Sequence, residues 1–229
     1  MSDLFWAVLS LLMTVLFYIV AKTMYRRTKS FWFTPLLAAP IAVLALVMLL
    51  RIPLPDYFMY THWLVALLGP ATIAFALPIY RQRHMIMRYP LTLAAGVGTG
   101  LILGLLSNWG LARLLGLPPV LARSLLPRSV STPFAILASS NFGGLPDITA
   151  LMVVFTGVIG MLCCEPIYKL IRIRSAHGRG AGLGSSSHGA GTAKAHEIGQ
   201  EEGVVSSLTM VFVGILMVLL SPLFAQILS

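Results

Sequence analysis

SSSHGAGTAKAHEIGQEEG, residues 185–203, is the stretch on which the fold turns. It holds His188, Lys194, His196, Glu197, Glu201 and Glu202, and so three of the seven acidic residues of the chain. Everything around it is apolar. Of 229 residues 58% are hydrophobic and only 10% are charged, and the mean hydropathy is +0.89. Soluble domains carry roughly 45–50% apolar residues. The stretch is therefore either an aqueous loop or the polar working part of a protein otherwise dissolved in lipid. SSSHGAG alone suits a flexible linker. Loops longer than about 15 residues are uncommon in compact domains unless functional or disordered.

Working outward, Val204–Leu228 follows as a last apolar span. About Ile148–Ile167 precedes the stretch as another and ends in Lys169, Arg172, Arg174 and Arg179. Further upstream, apolar runs cover about Leu4–Ala21, Phe33–Leu50, His62–Tyr80 and Leu91–Leu106. Runs of this length and composition are transmembrane candidates. The net charge of +9 lies beside the spans and follows the positive-inside rule, so it argues for no nucleic-acid partner. Lys22, Arg26, Arg27 and Lys29 put the first loop in the cytoplasm, and Arg81, Arg83 and Arg88 return the chain there. The N-terminus lacks the basic region of a signal peptide and reads as a retained first helix. Cys163 and Cys164 are adjacent and read as small packing residues, with no metal-ligand companions.

The class is all-α, a polytopic membrane protein with about seven spans. It divides into a two-helix scaffold, 1–60, and a membrane core, 61–229. Parity sharpens the middle. The loops at 81–88 and 169–179 both read as cytoplasmic, so an even number of crossings separates them. Three candidate segments lie between, and the polar one is Gly116–Asn141, GLPPVLARSLLPRSVSTPFAILASSN. Either that segment is re-entrant, which is the favoured solution, or the positive-inside rule fails at one loop. Irregular backbone at membrane depth is tolerated only where it is buried in protein or lines a cavity. Gly96, Gly100 and Gly104 share one helix face and let another helix approach closely.

Gly69-Pro-Ala-Thr72 echoes Gly189-Ala-Gly-Thr192, and Gly100–Ser107 echoes Gly214–Ser221. These pairs suggest inverted repeat units at about 61–115 and 176–229, joined by 116–175, each with a broken-helix element. Transporters place substrate where such elements meet near the midplane. On this reading 185–203 crosses the membrane outward, leaving Glu201 and Glu202 outside.

Arg128 is the sharpest candidate. A charge at membrane depth costs roughly 2.5–3.5 kcal/mol on insertion scales and usually faces a partner or a cavity. With Ser129, Ser131 and Thr132 beside it, its guanidinium fork suits a carboxylate. The bland reading is an arginine snorkelling to the interface. Thr72 and Thr192 at helix breaks, with Gly189 and Gly191, suit an anion at a half-helix N-terminus, or are packing residues. Lys194 adds a point charge, and His188 is placed to shuttle protons. Asp147, His188 and Glu197 are candidates for ion or proton coupling. For Asp147 the simpler role is support of a helix N-terminus. Glu165 is expected to pair with Lys169. No nucleotide motif, metal cluster or nucleophile–base–stabiliser set is legible, so no cofactor and no enzymatic activity are expected.

Four blocks in order, LLGPATIAFALPIYRQ, LLPRSVSTPFAI, GGLPDITALMVVFTGVIG and SHGAGTAKAHEIGQEEGVVSSLTM, resemble the LrgB/CidB family. The match runs from about Leu67 to Met210. The resemblance implies a bacterial inner-membrane protein, holin-like or antiholin-like, acting with a small LrgA/CidA-type subunit to control murein hydrolase activity and lysis. It equally implies a carrier. A plant relative moves glycolate and glycerate, and some bacterial members are linked to pyruvate. Ala176–Gly184 departs from the family in its glycine content. The expected function is a carrier of small monocarboxylates, with a homo-oligomer left open. A lysis regulator is the alternative.

Overall fold

The computed structural model describes residues 2–28, 30–74 and 76–228, with the side chains of Ser2, Asp3, Phe31, Thr72 and Pro78 outside the description. Its described elements are helices, and no strand occurs among them. Four have the length and hydropathy to cross a bilayer: Leu4–Thr28, Pro90–Leu114, Pro146–Leu170 and Gln200–Leu228. The chain is a multi-pass α-helical membrane protein. It forms two compact units, Met1–Ala71 and Thr72–Ser229.

In the first unit α1 (Ser2–Thr28) packs against α2 (Pro35–Leu50) and α3 (Leu54–Ala66). Pro35 opens α2, and Arg51 closes it in the left-handed conformation at φ 51°. Thr14 and Tyr57 hydroxyls meet at 3.2 Å between α1 and α3. The interrupted segment that follows divides into α4 (Leu68–Ala74), α5 (Ala76–Arg81) and α6 (Arg83–Arg88).

The second unit is built on α7 (Pro90–Leu114), α10 (Pro146–Leu170) and α12 (Gln200–Leu228), with α8 (Pro119–Leu125), α9 (Thr132–Phe142) and α11 (Ala176–Ile198) between them. α7 and α12 begin at the end where α10 finishes. There the Tyr89 and His177 rings lie 4.4 Å apart, His177 sits 3.4 Å from Glu201, and Leu93 packs with Val205 and Leu208. The basic loops before α7 and after α10 thus share one side, separated by two crossings. The parity problem is solved by α8 and α9, which form a hairpin. Thr149 donates to the Ser124 carbonyl at 2.8 Å and meets the Ser139 hydroxyl at 2.7 Å, so both arms start and finish beside the first turns of α10. The hairpin tip, 126–131, reaches Asn108 on α7 and Thr156 on α10.

α11 corrects the reading of 185–203 as a crossing segment. Its helix is broken at His188, with φ 41° and ψ −128°, and the two halves lie against each other. A Cβ at Gly191 would strike the Leu183 carbonyl, which an unbroken helix would put more than a turn away. Gly180 and Gly184 pack on Glu202 and Ser206, and the returning half brings Thr192 back to Ser206 at 2.9 Å. α11 enters and leaves at one end, so Glu201 and Glu202 stand on the basic side, and 185–203 does not supply one of the seven expected crossings. Each half has about a dozen residues at ~1.5 Å rise, enough for about half a bilayer.

Small residues make this insertion possible. Gly96 and Gly100 of α7 face Ala181 and Ser185 of α11, and a Cβ at Gly96 would stand 2.9 Å from the Ala181 Cβ. Gly157 and Gly160 of α10 face His188 and Ser187. Without lipid-excluding forces between helices, such close van der Waals packing supplies the association. Beyond the hairpin tips, toward the other end, an apolar core of Leu105, Leu126, Val130, Phe134, Val153, Val213 and Met217 seals the unit.

Candidate functional site

A cavity of about 1050 Å³ lies between α7, α10 and α11. It runs from Thr92, Ile173 and His177 at the basic end to Asn108, Arg128, Ser129 and Thr156 at mid-depth. The floor is the first hairpin's tip. Arg128 donates from Nε to Asn108 Oδ1 at 2.6 Å and from Nη1 to Thr156 Oγ1 at 3.4 Å. Asn108 is buried and donates its own amide to the Leu126 carbonyl at 2.9 Å, which fixes which end of the amide faces the guanidinium. The remaining N–H groups of Arg128 have no described partner, and no carboxylate pairs with it among the described residues. No Asp or Glu lines the cavity, and Arg128 is the one Lys or Arg that does among the described residues. The site is a half-buried cation with neutral supports facing an open-sided cavity. Anions are the ligands it can complement.

Two hydroxyls sharpen the tip. Ser129 Oγ and Ser131 Oγ are buried without a hydrogen-bond partner. Ser129 lines the cavity beside Arg128. Ser131 is the N-cap residue of α9 and makes no side-chain cap, and Thr132 begins the helix, half-buried. Ser185, Ser186 and Ser187 at the second hairpin's tip line the opposite wall.

The other expected site residues fall elsewhere. His188 is buried, and its Nε2 donates to the Val153 carbonyl at 2.8 Å, so it anchors the hairpin tip on α10. Lys194 pairs with Glu165 at 2.8 Å and approaches Glu197 at 3.7 Å, away from the cavity. Glu165 thus takes Lys194, and the Lys169 pairing expected from spacing does not form. Thr192 is engaged with Ser206 and Met210 on α12. Gly191 is the contact between the arms of α11, and Gly189 is exposed with open space around it. Asp147 is exposed in the first turn of α10. Thr72 has its side chain outside the described part. Asn108 and Thr156, which hold Arg128, escaped sequence reading: Asn108 lies just past the span read as Leu91–Leu106, and Thr156 is a single hydroxyl in an apolar run. The signal was there, since a lone amide inside a span needs a partner.

The geometry defines a multi-pass helical membrane protein with two re-entrant hairpins around a cavity floored by Arg128. The model of the LrgB-like family matches residues 14–227, and the chain belongs to that family. Among relatives it is 35% identical to uncharacterized protein YwbG of Bacillus subtilis over 96% of this chain and 97% of that one. It is 34% identical to uncharacterized protein YxaC of the same organism, over 95% and 94%. No solved structure matches the chain.

Proposed function

We propose that the protein is a bacterial inner-membrane carrier, or the carrying subunit of a two-part carrier, for small monocarboxylates of the pyruvate, glycolate or glycerate type. The observation that supports it is Arg128, a membrane-depth guanidinium held by Asn108 and Thr156 with no acidic neighbour, at the floor of the cavity. A carboxylate there would gain charge-assisted hydrogen bonds from Arg128 and one from Ser129. The polar walls of Thr99 and Ser185–Ser187 suit an oxygen-bearing remainder. Uptake of labelled pyruvate, glycolate and glycerate into proteoliposomes tests it, with the protein alone and with an LrgA/CidA-type subunit. Saturable uptake of at least one is expected. Its absence in both preparations contradicts the reading and leaves the lysis-regulating alternative.

A further inference from the structure

The second unit carries a symmetry unlike the one suggested by Gly69–Thr72 and Gly189–Thr192. One displacement along the chain takes Thr92 to Thr149, Thr99-Gly100 to Thr156-Gly157, and Ile102 to Ile159. Nearly the same displacement takes α7, Pro90–Leu114, onto α10, Pro146–Leu170, two helices of 25 residues each. It takes the first hairpin, which closes on Gly143, onto the second, which closes on Gly199. At the tips it takes Ser131 to His188, the residues from which the returning arms start.

The contacts follow that mapping to within one residue. Gly104 of α7 receives Ser129 of the first hairpin, and Gly160 of α10 receives Ser187 of the second. Arg128 crosses to Thr156 on α10, and its counterpart Ser185 crosses to Gly100, next to Thr99, on α7. α7 and α10 run in opposite directions, so the two hairpins insert from opposite ends.

We propose that residues 90–142 and 146–198 are inverted copies of one unit, a span followed by a re-entrant hairpin, and that the hairpins are the two gates of one central cavity. Related units in opposite orientation have two related conformations that exchange their roles. In the present one the cavity opens along α11 to the basic end, and the first hairpin with the apolar core closes the other. Exchange closes the second hairpin and opens the first, exposing Arg128 and Ser129 to the opposite side. This is independent of what the cavity carries.

Thiol labelling of the full protein in sealed, oriented vesicles tests it, using Cys163→Ser and Cys164→Ser as background and an impermeant maleimide on each face. Arg174→Cys and Gln200→Cys flank the second hairpin and are expected to label from the basic-loop face only. Val120→Cys and Leu145→Cys flank the first and are expected to label from the opposite face only. Ser129→Cys and Ser187→Cys, at the tips, are expected to react from both faces. Labelling of 174 and 200 from opposite faces would make α11 a crossing helix and overturn the inverted repeat. Reaction of both tips from a single face would overturn the two-gate assignment. Neither readout uses a substrate, so a failure here is separate from a failure of uptake.

Discussion

Arg128 keeps its charge exposed to the cavity because the residue against its Nε is an amide and not a carboxylate. Asn108→Asp adds one oxygen's worth of charge at nearly the same volume and neutralises the site from inside. It is expected to abolish carboxylate binding and, by removing the amide donor to the Leu126 carbonyl, to cost about 1–3 kcal/mol of stability; equilibrium dialysis with a labelled short carboxylate checks the first and thermal unfolding in detergent the second. Lys194 is the contrasting residue. Its charge is already matched by Glu165 and Glu197, so Lys194→Ala is expected to change affinity by less than about twofold, or about 0.4 kcal/mol. His188 carries backbone strain at φ 41°, a conformation that favours glycine, and is held there by its bond to Val153. Loss of a buried hydrogen bond costs about 0.5–1.5 kcal/mol. His188→Ala loses the bond and keeps the strain, whereas His188→Gly loses the bond and relieves it. Thermal unfolding in detergent is expected to rank wild type above His188→Gly above His188→Ala; equal Tm values for the two variants would contradict the strain.

At the scale of elements, the helices and the first hairpin are legible in the sequence for plain reasons. Hydropathy marks the spans, and the Lys/Arg loops at 81–88 and 169–179 count the crossings between them. That count favours a re-entrant Gly116–Asn141, and the contacts of its two arms with Thr149 agree with it. The reversal within α11 is not legible. Ala176–Ile198 is a run of glycine, serine and alanine that a crossing helix and a folded-back pair use equally, and histidine is no usual turn residue at positive φ. What distinguishes the two is tertiary, namely glycine seats on α7 and α10 that only a hairpin fills. Gly100→Leu and Gly160→Leu place side chains on Ser185 and Ser187. Each is expected to destabilise by about 1–3 kcal/mol through overpacking. Gly98→Leu, where a Cβ meets nothing within 4 Å, is expected to be near neutral. Detergent unfolding curves of the three variants measure the difference, and equal losses at 98 and 100 would contradict the seating of α11 on α7.

For the whole molecule, the membrane class and family follow from composition and the ordered motif blocks, whereas the cavity emerges only from the meeting of two hairpins far apart in sequence. Arg128 was legible because an arginine at membrane depth needs a reason. Lys194, His188 and Thr192 looked equally chemical, yet their partners, Glu165, Val153 and Ser206, lie on other helices and take them out of the cavity. Among the described residues Arg128 is the one strong cation facing that cavity, and its proposed role is to hold a small carboxylate. Binding of a labelled short monocarboxylate to the purified protein, compared between wild type and Arg128→Ala, tests it most directly. Hydrogen bonds to a charged group contribute about 1.5–3 kcal/mol, so saturable binding by the wild type is expected, weakened about 10- to 100-fold in Arg128→Ala. Wild-type binding that survives unchanged without Arg128, or no saturable binding of any short monocarboxylate, would contradict it.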